Sequence, residues 1–88
     1  MDKLKVSAKT NVKKLASAIA SIVSRNEKAE LISIGAGAVN QATKAVAAAN
    51  GFVAPHGMHL VSKISFDNVQ AGDGNRTAIK YIVEGKNV

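Results

Sequence analysis

The sequence predicts a two-layer α/β sandwich in the order βαβαββ, a four-stranded mixed sheet with two helices on one face. Three observations lead there. An apolar stripe at helical spacing and then an alanine-rich helical stretch each follow a short strand-like run. Alternating apolar and polar residues then fill most of the last third of the chain, and a Gly-Asp-Gly-Asn turn signal interrupts that alternation. Two helices that each link strands by right-handed crossovers must lie on the same side of the sheet.

The elements follow in order. In Leu4-Lys5-Val6-Ser7-Ala8, Leu4, Val6 and Ala8 share one face and Lys3, Lys5 and Ser7 the other, as in a half-buried strand. Thr10 or Asn11 supplies a side-chain oxygen to cap the next helix. In that helix Val12, Leu15, Ala16, Ile19, Ile22 and Val23 form one apolar stripe, ending near Arg25 or Asn26. Leu31-Ile32-Ser33-Ile34 reads as a central strand closed by Gly35. The second helix is expected over 37–50, with Gly51 as a left-handed C-terminal cap. Its many alanines allow close approach on more than one side, by the sheet's edge or by another subunit. Met58 to Phe66 alternates again, with Met58, Leu60, Ile64 and Phe66 on the core face. Gly72-Asp73-Gly74-Asn75 turns the chain. Thr77 to Val83 then completes a hairpin, with Ile79, Tyr81 and Val83 facing one way.

With 88 residues, 47% hydrophobic and 20% charged, the chain is expected to form a single domain, 1–88, whose small core an oligomer would help to stabilise. There is no cysteine, which excludes disulfides, thiolate metal sites and cysteine nucleophiles. Neither a membrane span nor a signal peptide is visible, so a soluble, cytoplasmic protein without membrane partners is expected.

Charge gives the functional direction. The net +6 is concentrated in residues 1–44, which hold eight basic and three acidic groups, against four and three in the remainder. Such a half favours polyanions. Lys3, Lys5, Lys63 and Lys80 are expected on the open face of the sheet. Lys9, Lys13 and Lys14 gather where the first strand enters its helix, beside helix-terminal amides that also favour anions.

Other chemistries find less support. Ile34-Gly35-Ala36-Gly37 leads from strand to helix, and such a turn can bring backbone amides to a phosphate. It lacks the third small residue, Asn40 standing there, and the later carboxylate of a dinucleotide fingerprint. His56 and His59 have no third ligand nearby, so no metal site is expected. The serines Ser17, Ser21 and Ser24 lie on the solvated side of the first helix, and no nucleophile, base and orienting group come together. The expectation is no enzyme and no cofactor. Phe66 and Tyr81 fall on the expected core face, which argues against base stacking on an exposed sheet and for phosphate contacts with little sequence reading.

The stretches Leu4-Lys5-Val6-Ser7-Ala8-Lys9, Ile34-Gly35-Ala36-Gly37-Ala38-Val39-Asn40-Gln41-Ala42, Lys44-Ala45-Val46-Ala47, Gly51-Phe52-Val53-Ala54-Pro55 and Arg76-Thr77-Ala78-Ile79-Lys80 closely resemble the stage V sporulation protein S family over nearly the whole chain. The resemblance implies an Alba-like fold and a role in spore formation and its control. Alba proteins bind nucleic acid through the first strand–helix loop, the glycine turn before the second helix and the final hairpin, and they pair as dimers. Carried onto this chain, those regions are Lys9 with Lys13 and Lys14, then Gly35 and Gly37, then Arg76. Ala36 and Ala38 stand where Alba proteins often carry basic residues. The resulting expectation is a non-enzymatic DNA- or RNA-binding regulator of sporulation, acting as a homo-oligomer (dimer or tetramer). The alternative is a regulator that works through protein–protein contacts on an oligomeric surface without binding nucleic acid. A small nucleotide-binding module using Gly35 and Gly37 is a third reading.

Overall fold

The computed structural model describes residues 1–87; Val88, the last residue of the expected domain, lies outside the described residues. The elements are β1 (Asp2–Val6), α1 (Val12–Ser24), β2 (Ala29–Ser33), α2 (Ala36–Val53), a 3-10 turn (Ala54–His56), β3 (Met58–Ala71) and β4 (Gly74–Asn87). The sheet order is β1-β2-β4-β3, with β1 and β2 parallel and both pairs involving β4 antiparallel. This is the mixed four-stranded sheet and βαβαββ order expected from the sequence, and it agrees with an Alba-like fold.

Alternation fixes the faces. Leu31, Tyr81 and Val83 are buried toward the helices, together with Val6 of β1. The α1 stripe of Leu15, Ala16, Ile19, Ile22 and Val23 closes on them, joined by Ala42, Ala45, Ala49 and Val53 of α2. Burying each large aliphatic side chain is worth about 1.5–3 kcal/mol. On α2 the buried groups are mostly methyls, so what alanine gives here is a short distance between the helix and its neighbours. Tyr81 joins the layers through its polar tip: Oη donates to the Val39 carbonyl (3.4 Å) and shares a hydrogen bond with Thr43 Oγ1 (3.2 Å).

Several boundaries differ from the sequence expectation. Ser7 and Ala8 leave the strand and form a turn, because the Ser7 amide donates to Thr10 Oγ1 (2.8 Å) and the Thr10 amide to the Ser7 carbonyl (3.1 Å). Asn11 is the N-cap of α1, its Oδ1 accepting from the Lys14 amide (2.9 Å). Gly51 does not stop α2. The helix runs one turn further and buries Val53, and the left-handed position is Gly57, with φ +76°. Asn50 then ties the helix to the sheet edge, Oδ1 accepting from the Leu60 amide (2.9 Å). The hairpin is also longer than its apolar alternation suggests. It extends past the end of β2 as a two-stranded ribbon that turns at Gly72, where φ is +62°.

The largest departure concerns Phe66. Its register opposite Ile79 puts it on the helix side as expected, yet it is 78% exposed, and Ile64 beside it is 62% exposed. α2 covers Tyr81 on the neighbouring strand but leaves the middle of the edge strand β3 open. The case against exposed aromatic groups therefore fails for Phe66 and holds for Tyr81, which is buried.

Candidate nucleic-acid interface

Both parallel strands end at the same side of the sheet, and their outgoing loops meet there. The β1–α1 loop carries Lys9 on a turn braced by Ser7, whose Oγ accepts from the Lys9 amide (3.2 Å). The β2–α2 connection passes through Gly35, whose φ of +91° is one that side-chain-bearing residues rarely adopt. Gly37 allows the contact between the loops. A Cβ placed on it would stand 2.8 Å from Ala8 Cβ, so only glycine admits this approach. Gln41 fastens the junction, its Nε2 donating to the Thr10 carbonyl (2.9 Å). The hairpin arrives at the same end: Val69 and Gln70 share a groove with Ser7, Ala8 and Ile34, and Arg76 pairs with Val69 in the ladder.

Lys9, Gly35, Gly37 and the hairpin segment that carries Arg76 thus lie at one end of the sheet, and Lys13 and Lys14 are in the first turn of α1 at that end. Lys9, Lys13, Lys14 and Arg76 are all exposed, and among the described residues none of them lies within ion-pair distance of a carboxylate. Both helices begin here. Neither has an acidic residue in its first turn, and Gly35 provides α2 with no side-chain cap. The first amides of each helix have no carbonyl within it to receive them, so they present partial positive charge beside the lysines. Gly37 differs from the expectation in one respect: its Cα side is occupied by Ala8, so its part is to hold the loops together, while Gly35 has open space around it.

The opposite end of the sheet is electrically closed. Arg25 binds Asp2 (3.2 Å) and Glu27 (3.2 Å), Lys3 lies 3.9 Å from Glu30, and Glu84 sits between Lys28 (3.6 Å) and Lys86 (3.3 Å). A hydrogen bond and charge from Lys86, reinforced by Lys28, hold the Glu84 carboxyl below the usual carboxylate range. Four of the six acidic residues are committed in this way. The other two, Asp67 and Asp73, lie on the hairpin. Four carboxylates are thus paired at one end of the sheet, while Lys9, Lys13 and Lys14 at the other end have, among the described residues, no carboxylate within ion-pair distance.

Sequence reasoning missed the exposed strip beside α2, formed by Ile64 and Phe66. The signal available was the position of Phe66 on an edge strand, where side chains on the helix side have a neighbouring strand on one flank only. Among the described residues, no three His, Cys, Asp or Glu side chains gather closely enough to hold a metal ion. No helix of the described residues is long and apolar enough to cross a membrane.

Fold and charge together define a small α/β sandwich with one cationic and one ion-paired end. The family model for stage V sporulation protein S (SpoVS) matches residues 2–86, and the chain belongs to this family. Its role is accordingly sporulation-related.

Proposed function

We propose that the protein is a non-enzymatic, nucleic-acid-binding regulator within sporulation, gripping phosphates at the end of the sheet where β1 and β2 give way to their helices. The observation that carries this reading is the placement of Lys9 in the β1–α1 loop and of Lys13 and Lys14 in the first turn of α1, exposed and, among the described residues, without a carboxylate in ion-pair distance, where Gln41 fastens that loop to the start of α2. Phosphate contacts made by lysines and backbone amides position a protein on nucleic acid without reading bases. Two such ends on one dimer would convert a weak grip into avidity. The exposure of Ile64 and Phe66 supports self-association, because a chain of net +6 meets a second copy at least cost through an apolar surface.

The test is retention of duplex DNA or single-stranded RNA at low salt by the whole chain and by a Lys9→Ala/Lys13→Ala/Lys14→Ala variant. Retention by the parent and loss in the folded variant support the reading; no retention by either removes it. The second reading, a regulator acting through protein contacts alone, is favoured by the exposure of Phe66. It predicts that the triple variant keeps sporulation intact while Phe66→Glu abolishes it.

A further inference from the structure

The open face of the sheet, away from the helices, holds a groove that phosphate binding does not require. One row across this face is Lys5, Ile32, Lys80 and Ser65. Past the end of β2 the hairpin ribbon leans over the row, as twisted two-stranded ribbons do. Ala78 shows the closure: it lies on this face, where no helix packs, and is nevertheless buried. Between the ribbon and the ends of β1 and β2 is a hollow of about 350 Å³ with Ile32, Ile34 and Val69 as its apolar walls. A second hollow of about 280 Å³ adjoins it and shares Lys5, Ile32 and Val69. A volume of this order is at the small end of ligand pockets.

Its charges have one sign in excess. Lys5 lines the groove, Lys80 flanks Ile32 on the far side of the row, and Arg76 stands opposite Val69 in the ladder. Among the described residues none of the three is within ion-pair distance of a carboxylate. Two carboxylates border the second hollow. Glu30 faces Lys3, and Asp67 accepts the amide of Asn68 through Oδ1 (2.9 Å). An apolar floor rimmed by unpaired cations complements a molecule with an apolar body and a negative head. A purely polar anion would leave the isoleucines wet, and a neutral apolar molecule would leave the cations unanswered.

We infer that this groove binds a small amphipathic anion, an aliphatic or aromatic body carrying one carboxylate. The body lies on Ile32, Ile34 and Val69, and the carboxylate lies between Lys5 and Lys80. The inference does not rest on nucleic-acid binding, and its test contains no nucleic acid. Octanoate is titrated into the isotope-labelled full chain and followed by amide NMR, with octylammonium as the control of opposite charge. The expected result is saturable shifts at Lys5, Ile32, Val69 and Lys80 with a millimolar Kd, and no saturable shifts with octylammonium. Lys5→Glu/Lys80→Glu, on an exposed and a half-exposed side chain, should weaken octanoate binding roughly tenfold. Val69→Asp, on the hairpin away from the core, should do the same by spoiling the wall. Equal binding of octylammonium, shifts outside the groove or none at all, or unchanged affinity in both variants would overturn the inference.

Discussion

Gly37 offers the sharpest test of how the candidate interface is built. Replacing it by alanine puts a methyl 2.8 Å from Ala8 Cβ, against an ordinary carbon–carbon contact of about 3.5–4.0 Å. Ala8 has no flexible end to move aside, so the β1–α1 loop backbone must retreat by about an ångström. Overpacking of this kind costs about 1–3 kcal/mol. It is partly offset by the preference of a helix for alanine over glycine, up to about 1 kcal/mol. Removing the Ala8 methyl leaves only Ala8 Cα, at 3.5 Å, which is an ordinary contact. Gly37→Ala should therefore be neutral to destabilising alone and stabilising in an Ala8→Gly background. The coupling energy should be about 1–3 kcal/mol in a double-mutant cycle measured by urea unfolding. Additive effects, with Gly37→Ala stabilising both backgrounds alike, would refute the claim that this glycine exists to let the two loops touch.

Three further outcomes follow from the same geometry. Phe66→Glu, at a side chain 78% exposed, should change the stability of the folded chain by less than about 0.5 kcal/mol while shifting sedimentation toward monomer; a loss of several kcal/mol with no change in sedimentation would mean that Phe66 packs within its own chain. Tyr81→Phe removes the hydroxyl that binds the Val39 carbonyl and Thr43 and should cost about 0.5–1.5 kcal/mol in urea unfolding. Glu84 should titrate below the usual carboxylate range in a carbon-detected NMR titration, and Lys86→Ala should bring its midpoint back up. Because its folded value is depressed, its contribution to stability is complete above the unfolded carboxylate value and is lost as pH falls through the folded one.

Most of the fold was legible because its information is local and periodic. The stripe from Val12 to Val23, the alternation of Leu4 and Val6, and the Gly72-Asp73 turn each specify an element within a few residues. The boundaries that moved were set by partners distant in sequence. Gly51 looks like a helix stop, but Val53 has a place in the core, and the helix continues to fill it. Ser7 and Ala8 fit the strand pattern, yet Thr10 offers the Ser7 amide a closer partner. Phe66 obeys its alternation and still remains in water, because alternation reports a face and not whether the layer above extends far enough to cover it. For the interface, the sequence identified the cations by their position at a strand-to-helix junction. That four of the six carboxylates are paired at the far end depends on topology and was not readable from spacing.

Phosphate binding at this end of the sheet is tested most directly by its response to salt. For a chain holding four to six phosphates, log K for duplex DNA should fall against log salt with a slope of roughly −4 to −5. Replacing Lys9, Lys13 and Lys14 by alanine should make that slope shallower by about 2.7 units without altering the fold. A slope near zero in the parent chain, or the same slope in parent and variant, would contradict it.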